Sequence, residues 1–394
     1  MSDLPEKVVC FEPIGRIHPS QWTLIDNPPE GYRFTVSRNQ MTRTLTDNSV
    51  IFDRFRLQVL DRILPLTLAK AWVDDLITPR MNGTDLMYLY NHITARDVPW
   101  VVNVEWGHVL VGRCPWWLRH GEPAIEKALA SEQCAGVTTW TNMALNSMLC
   151  CYDCSAFIDK MQTVYPAIAP VRYERDYNRG RVRLLFVGAA NDPASFDCKG
   201  GWEVVQAFLA LREKYPKLEL TLRSRVPDYI RKQLDGVYGV RILENRLSDP
   251  ELDKEFADAD IYVVPSHKLQ NMAVFDAMRY GLPIVTTWIG SSGNEFVENG
   301  VSGLVVSDPP GVRYFGKNNL LTTETTGYFK MLKDVQRNRH KIVPNLISAV
   351  ESLVRSPSGR EELGRGGRRE VESGRFSLAH RNKILKEIFD SVAC

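Results

Sequence analysis

The chain has 394 residues, of which 44% are hydrophobic and 24% are charged, and this composition is typical of globular proteins with material for two domains. Its net charge of +2 gives no strong field for binding nucleic acid, and no apolar run approaches the ~20 residues of a membrane-spanning helix. Irregularly spaced cysteines and an N-terminus without a signal-peptide core favour reduced thiols and a cytoplasmic location.

Short apolar runs separated by helical patterns characterise the first part of the chain. Helices are predicted over 54–77 and 142–150 because apolar residues recur there at helical spacing. The stretch between the first two strands, which contains proline and glycine, is predicted to be a loop. Strands are predicted at 8–11, 32–36, 85–90, 100–104 and 134–139. This alternation predicts an α/β architecture with a largely parallel sheet.

A second series of alternating units follows the polar segment 172–181, which is predicted to link two domains. The clearest unit runs from 259 to 285 and reads as a buried strand, a tight loop, a short helix and another buried strand. Its loop is the expected position for an anion, because ligands bind beyond the carboxyl ends of parallel strands. Further strands are predicted at 182–188, 218–222, 240–243 and 303–306, and helices at 202–215, 250–257, 346–354 and 380–392.

The second half of the chain closely resembles the nucleotide-sugar domain of GT-B glycosyltransferases, especially the large retaining family often called family 4. The resemblance covers about residues 182–390 and rests on the order and spacing of several short motifs. These motifs are Phe186-Val187-Gly188, Lys199-Gly200, Ala259-Asp260, Val264-Pro265-Ser266, Asp276-Ala277-Met278, Gly281-Leu282-Pro283-Ile284-Val285 and the stretch from Glu295 to Val305.

The resemblance implies a GT-B fold, in which two Rossmann-like domains face one another across a cleft. Residues 1–175 would form the acceptor domain, 176–375 the nucleotide-sugar domain, and 376–394 a terminal helix that crosses back to the first domain. The implied activity is transfer of a sugar, of the hexosyltransferase type, from a nucleotide-diphosphate donor to a hydroxyl of a glycan, lipid or small molecule. The family retains the anomeric configuration and usually binds no metal, so no cofactor is expected besides the nucleotide sugar.

The resemblance also implies a donor site in the second half. Lys199 matches the family's diphosphate-binding lysine, and Asp276 stands where relatives bind the donor ribose. Arg223 and Arg225 follow a strand and could supplement the cationic site, although an exposed surface pair is the alternative interpretation. The predicted donor-binding residues are Gly188, Lys199, Arg223, Arg225, Asn245, Arg246, Leu269, Gln270, Asn271, Met272 and Asp276.

Several positions depart from the family pattern. Lys268 stands where relatives place a glutamate near the donor sugar, which reverses the charge there. Glu105 occupies the position of a histidine beside the acceptor hydroxyl, and Gly15 stands alone where relatives often carry two glycines. The predicted catalytic residues are therefore Glu105, Lys199 and Lys268, with Gly15 and His108 on the acceptor side. A structural histidine bonded to backbone is the alternative for His108.

Other functions stay open at this point. Ala189 stands where relatives often carry an arginine, and this departure and that at Lys268 also fit a non-catalytic GT-B partner protein. A different GT-B enzyme such as a sugar-nucleotide epimerase is a third interpretation. The basic clusters at 172–183 and 360–375 are typical of solvated faces, and the alternative is a patch that contacts acidic lipid at a membrane surface. The donor sugar, the acceptor (a glycan or a lipid-linked molecule) and the oligomeric state are not specified by the sequence.

Overall fold

The computed structural model describes residues 6–13, 17–36, 83–111, 115–188, 194–267, 272–288, 294–306 and 328–392. The described chain forms two compact units. Unit 1 contains the residues up to Ala167 and those from Leu378 onwards, and unit 2 contains the residues between Ile168 and Ser377. The helix predicted over 54–77 lies outside the described residues.

The described part of unit 1 contains a six-stranded parallel sheet. Its strands are β1 (Lys7–Pro13), β2 (Tyr32–Val36), β3 (Leu86–Tyr90), β4 (Trp100–Val104), β5 (Cys134–Thr139) and β6 (Met161–Thr163). They lie in the order β2-β1-β3-β4-β5-β6, and every neighbouring pair is parallel. The central strand β4 is buried along its whole length, as expected of a parallel sheet that is covered on both faces.

Unit 2 repeats this architecture. Its described strands are β7 (Val182–Val187), β8 (Leu218–Arg223), β9 (Val240–Leu243), β10 (Ile261–Val264), β11 (Ile284–Thr287) and β12 (Gly303–Val306). They form a six-stranded sheet in the order β12-β11-β10-β7-β8-β9, again with parallel pairs throughout. The two parallel sheets confirm the predicted α/β class and the two Rossmann-like units.

Helices connect the strands in both units. In chain order they are α1 (Pro19–Asp26), α2 (Pro115–Ala130), α3 (Asn142–Cys151), α4 (Ala194–Cys198), α5 (Gly201–Arg212), α6 (Asp228–Leu234), α7 (Asp249–Asp258), α8 (Met272–Arg279), α9 (Tyr328–Asn338), α10 (Val343–Arg355), α11 (Pro357–Glu372) and α12 (Leu378–Asp390), with short 3₁₀ helices at Gly107–Val111, Ile158–Lys160 and Arg339–Lys341. Among the described residues, no helix is both long and apolar enough to cross a membrane. The prediction of a loop between β1 and β2 is wrong for residues 19–26, because α1 occupies them.

The basic cluster at 360–375 does not lie wholly on a solvated face. Arg360 is only 2% exposed, and its Nη2 donates to the Tyr177 carbonyl over 2.7 Å. Arg368 donates to the Val171 carbonyl over 3.1 Å. These arginines bind the polar segment that was predicted to be a linker, and that segment belongs to unit 2. The prediction of a solvated face is therefore wrong for both side chains.

Candidate active site

The strand order of unit 2 changes direction between β7 and β10. From β7 the chain adds β8 and β9 on one side of the sheet, and β10 then joins β7 on the other side. Ligands of open α/β sheets bind beyond the carboxyl ends of the strands at such a switch point. The residues that follow β7 and β10 are Gly188 and Pro265, so this edge of the sheet is the expected donor position.

Gly188 lies where its neighbours leave no room for a side chain. A Cβ atom at this position would lie 2.1 Å from the Ser224 Oγ. The Gly188 N–H donates to the Arg223 carbonyl over 2.8 Å, and the Arg223 Nη1 donates to the Gly188 carbonyl over 3.2 Å. This exchange holds the Arg223 guanidinium beside the backbone at the end of β7.

Two arginines lie close together at the ends of β8 and β9. Burial lowers the pKa of Arg223, and the positive charge of Arg246 lowers it further. The Arg223 Nε is buried and has no hydrogen-bond partner among the described residues. Two neighbouring cations produce a positive potential, which suits a bound anion.

Arg225, Asn245 and Arg246 have exposed side chains. The Glu244 carboxylate accepts the Val226 N–H over 2.8 Å and so joins the loop after β8 to the end of β9. The structure therefore brings Arg223, Asn245 and Arg246 to one edge of the sheet, as a common ligand site requires.

The turn that carries Lys199 is docked against the end of β10. Lys199 is half-buried between α4 and α5. Gly200 follows with a φ of +81°, and a Cβ atom there would lie 2.2 Å from the Pro265 carbonyl oxygen. The Cys198 carbonyl accepts the His267 N–H over 2.8 Å. Lys199 therefore lies at the switch point together with the segment that leads into the predicted phosphate loop.

A fully buried pair reinforces this docking. The Glu203 Oε1 and the His267 Nε2 are 2.6 Å apart, and the two side chains are 0% and 1% exposed. The Glu203 Oε2 is buried and has no hydrogen-bond partner among the described residues. Glu203 lies in the first turn of α5, where the helix dipole favours a negative charge. The pair thus joins the helix that follows Lys199 to the residue that precedes Lys268.

Asp276 lies on α8 within a small charge network. The Arg279 Nη2 is 3.0 Å from the Asp276 Oδ1 and 2.5 Å from the Asp253 Oδ1. The pKa of the Asp276 carboxyl is raised to about 7, chiefly by burial; the positive charge of Arg279 opposes this shift, and the negative charges of Asp253 and Asp249 add to it. The predicted ribose ligand is therefore a carboxyl group that titrates near neutral pH.

Part of the predicted site lies outside the described residues. Met272 is described and is the first residue of α8. The predicted site residues outside the described ranges are Lys268, Leu269, Gln270 and Asn271 of the donor side and Gly15 of the acceptor side.

Glu105 directly follows β4 in unit 1 and is oriented by its neighbours. The Glu105 N–H donates to the Asn91 Oδ1 over 2.8 Å, and the Glu105 Oε2 accepts long bonds of 3.4 Å from the Asn91 Nδ2 and the Tyr90 hydroxyl. Asn91 adopts a φ of 61°, which is uncommon for a residue other than glycine and is often found at functional sites. Glu105 remains half-buried, so its carboxylate keeps access to a ligand at this edge.

His108 occupies a different environment. It lies in the 3₁₀ helix Gly107–Val111 and is 3% exposed. The two predicted acceptor-side groups therefore differ, since Glu105 is accessible and His108 is enclosed by the fold.

The buried pair of Glu203 and His267 was not predicted from the sequence. A signal for it does exist, because Glu203 is a charged residue in the first turn of a helix whose following positions, Val204 and Val205, are buried. A buried carboxylate requires a partner. His267 could be identified as that partner only from the tertiary contact between Pro265 and Gly200, which brings the His267 segment to the start of α5. Within the described ranges, no group of three or more His, Cys, Asp or Glu side chains is arranged to hold a metal ion.

Residues 181–313 match the model of a protein family described as glycosyl transferases group 1. This match makes the segment 181–313 similar to the donor-side domain of group 1 glycosyltransferases. The matched segment carries the predicted donor residues from Gly188 to Asp276, and it confirms that the chain is related to glycosyltransferases. No curated protein sequence matches the chain.

Solved structures resemble the whole chain, beyond the segment 181–313. HepE from Anabaena, solved with UDP and glucose, is 13% identical, with a TM-score of 0.53 over 98% of this chain and 100% of that one. WaaG, a glycosyltransferase involved in lipopolysaccharide biosynthesis, is 13% identical, with a TM-score of 0.55 over 97% and 99%. A glycosyltransferase from Rickettsia africae is 11% identical, with a TM-score of 0.53 over 99% and 99%. This likeness confirms the predicted GT-B fold.

Proposed function

We propose that this chain is a retaining glycosyltransferase of the hexosyltransferase type, which transfers a sugar from a nucleotide-diphosphate donor to an acceptor hydroxyl. The observation that carries the proposal is that Gly188 and Lys199 lie at the switch point of the segment that matches group 1 glycosyltransferases, and that Arg223 and Arg246 lie at or just beyond the carboxyl ends of the strands next to it. A diphosphate leaving group gains negative charge as its bond to the sugar breaks. Fixed cations at this edge would stabilise that charge in the transition state.

The proposed reaction exchanges one bond for another at the anomeric carbon. The bond from this carbon to the diphosphate oxygen breaks, and a bond to the acceptor oxygen forms on the same face. The acceptor proton passes to the departing phosphate oxygen, so the products are the glycoside and the nucleoside diphosphate. The residues of the chain supply position and charge for this exchange and form no covalent bond with the sugar.

Asp276 is assigned to the donor ribose and Glu105 to the acceptor side. A carboxylate accepts hydrogen bonds from two neighbouring hydroxyls, which suits Asp276 for a ribose diol. Glu105 follows the carboxyl end of β4 and has an accessible carboxylate, which suits it for contact with the reacting hydroxyl. Lys268 adds a positive charge where relatives place a carboxylate, and we assign it to the donor diphosphate or to an acidic donor sugar.

A uridine diphosphate sugar is the proposed donor. The support is the fold shared with HepE, which has been solved with UDP-glucose. We further propose that the reaction needs no metal, because Lys199, Arg223 and Arg246 supply the charge that a metal would otherwise provide. Transfer should therefore persist in the presence of EDTA.

The proposed acceptor class is based on a structural neighbour. WaaG acts in lipopolysaccharide biosynthesis, which is the basis for including a lipid-linked glycan among the proposed acceptors. Contact with a membrane surface and a cytoplasmic location stay predictions from the sequence. Of the basic cluster at 360–375, Arg365 and Arg369 are exposed and remain candidates for such contact.

The direct test is titration calorimetry with UDP and a panel of nucleotide sugars, followed by transfer assays that record the anomeric configuration of the product. Lys199→Ala should reduce transfer by about 100-fold, the typical effect of removing one group that stabilises developing charge. Lys232→Ala, an exposed lysine on α6, is the matched control and should leave transfer unchanged. A chain that binds neither UDP nor any nucleotide sugar would overturn the proposal and favour the non-catalytic partner protein.

A further inference from the structure

A small pocket opens in unit 1 where several strands end. Its cavity volume of about 20 Å³ is enough for about one small polar group. Tyr90, Trp140 and Tyr165 lie at or just after the carboxyl ends of β3, β5 and β6 and form part of its wall. Arg381 of α12 and Gln21 of α1 line the remainder.

Arg381 is a buried cation with an unused donor. It is 4% exposed, and its Nη2 donates to the Asn27 carbonyl over 2.5 Å and to the Asn382 Oδ1 over 2.8 Å. Its Nη1 has no hydrogen-bond partner among the described residues. None of the described residues that line the pocket is acidic. A buried charge without a counter-ion is unfavourable, so the pocket favours an anionic occupant.

Gln21 presents a second donor to the same pocket. Its Oε1 accepts the His18 N–H over 2.6 Å in the capping box of α1, and this bond fixes the orientation of the amide. The Gln21 Nε2 is therefore the atom left over. It is buried and has no hydrogen-bond partner within the described residues. Two residues that line this space, Gln21 and Arg381, thus each carry a buried donor without a described partner.

The wall of the pocket is aromatic. The rings of Tyr90 and Trp140 have centroids 5.1 Å apart, and both side chains are half-buried, so part of each remains open to a ligand. Aromatic faces beside a few polar groups are typical of sites that hold sugar rings.

We infer that this pocket binds the carboxylate of an acidic sugar in the acceptor, with one oxygen at the Arg381 Nη1 and the other at the Gln21 Nε2. The inference rests on the proposed function, since it names the class of acceptor for that reaction. Tyr90 links the pocket to the candidate catalytic side, because its hydroxyl also contacts Glu105.

The test compares glucuronate with glucuronamide, which has the same shape without the charge, by titration calorimetry on the full chain. Glucuronate should bind at least about tenfold more tightly than the amide, since hydrogen bonds to charged groups are the stronger ones. Gln21→Glu keeps an oxygen for the α1 cap but places a carboxylate beside Arg381, so it should abolish glucuronate binding. Gln233→Glu makes the same change at an exposed position of unit 2, keeps an acceptor for the Gln206 Nε2, and should bind glucuronate like the unsubstituted chain.

Equal binding of the two probes, unchanged binding in Gln21→Glu, or tighter binding of inorganic phosphate than of glucuronate would overturn the inference. UDP titrations of the same samples test the proposed function independently, so a failure of the pocket can be distinguished from a failure of donor binding. If Gln21→Glu loses glucuronate binding but binds UDP normally, the result supports carboxylate binding in this pocket. Glucuronate binding that depends on Gln21, in a chain that binds no nucleotide, would leave the pocket in place and remove only its role in glycosyl transfer.

Discussion

The Asp276 carboxyl should make donor binding depend on pH. Its pKa is raised to about 7, mainly by burial, so the group is largely protonated at pH 6 and largely ionised at pH 8. The ionised carboxylate accepts from both ribose hydroxyls more strongly than the protonated acid does, because hydrogen bonds to charged groups are the stronger ones. The affinity for a nucleotide sugar should therefore rise up to about tenfold from pH 6 to pH 8, as expected from the ionisation of a single group. Titration calorimetry at several pH values measures this slope.

Asp276→Asn is the control for this prediction, because the amide does not ionise. It should bind the nucleotide sugar with little dependence on pH, and a slope equal to that of the unsubstituted chain would contradict the assignment. The stability of the free protein gives an independent check. Because the pKa of Asp276 is higher in the folded state than in the unfolded state, the folded protein binds an extra proton between the unfolded pKa and about 7. The contribution of this group to the free energy of unfolding should therefore fall as pH rises through this window.

The buried pair of Glu203 and His267 predicts a strongly coupled pair of substitutions. Glu203→Leu alone leaves the His267 ring without its 2.6 Å partner, and His267→Leu alone leaves a buried carboxylate. Each should lower the free energy of unfolding by about 3 kcal/mol, the usual effect of breaking a buried pair. The double substitution should cost clearly less than the sum, because it leaves neither group unpaired.

Chemical denaturation of the four proteins measures this coupling. Strictly additive losses would show that the two side chains act independently. Transfer activity adds a second readout, because the pair holds the Lys199 turn against Pro265 through the Gly200 contact. The stable double variant should then still lose activity, since apolar side chains do not fix this geometry as a directional hydrogen bond does.

At the scale of elements, Arg175 connects the ends of two helices in unit 2. Its Nη2 donates to the Phe256 carbonyl near the end of α7 over 2.8 Å, and its Nε donates to the Tyr280 carbonyl just after α8 over 2.7 Å. A cation at a helix C-terminus satisfies free carbonyl groups and interacts favourably with the helix dipole. Burial lowers the pKa of Arg175, but the guanidinium remains charged at neutral pH.

Arg175→Met should therefore destabilise unit 2 by about 2 to 3 kcal/mol, since hydrogen bonds to a charged group are lost while most of the packing is kept. Arg175→Lys should recover only part of this loss, because a single ammonium group cannot reach both helix ends as a planar guanidinium does. Arg172→Met, at an exposed position of the same segment, is the matched control and should be neutral. Thermal unfolding distinguishes the three variants, and a loss in the control equal to that in Arg175→Met would refute the capping role.

The strands could be predicted from the sequence because each is a short, continuous apolar run. Burial on both faces of a parallel sheet demands such runs, and β10 shows this in being buried throughout. Several helices could not be predicted in the same way. In α11 the buried positions include Gly364, Gly366 and Gly367, where close contacts replace apolar side chains. Charged residues and glycines in such a helix give the pattern of a loop.

The candidate site was predictable only where short motifs specify backbone. Gly188 and Gly200 are positions that no larger residue could occupy, and the family resemblance locates them directly. Arg381 was not predicted, because no backbone motif marks it and its role depends on tertiary packing. It replaces an apolar residue in the stripe that continues with Leu385 and Phe389, at a spacing of four residues along α12. A charged residue in an apolar stripe is a signal, but its meaning depends on the strands that the helix covers.

At the scale of the molecule, each unit has its own hydrophobic core. The core of unit 2 is built around the sheet strands and helices α5 and α10, and it includes Leu220. In unit 1, one cluster includes Leu89, and a second is completed by Leu385 and Phe389 of the terminal helix. Because separate cores can unfold separately, the chain should show two calorimetric transitions.

Ligand binding assigns these transitions. UDP at about 100 times its dissociation constant should stabilise the unit that binds it by about 2.7 kcal/mol. The transition that UDP raises should be the one lowered by Leu220→Ala, since that buried residue belongs to unit 2 and its truncation costs about 2 to 5 kcal/mol. Leu89→Ala should lower the other transition and leave the effect of UDP intact. If UDP instead raised the transition that Leu89→Ala lowers, the donor site would belong to unit 1, and the roles of Lys199 and Asp276 would have to be abandoned.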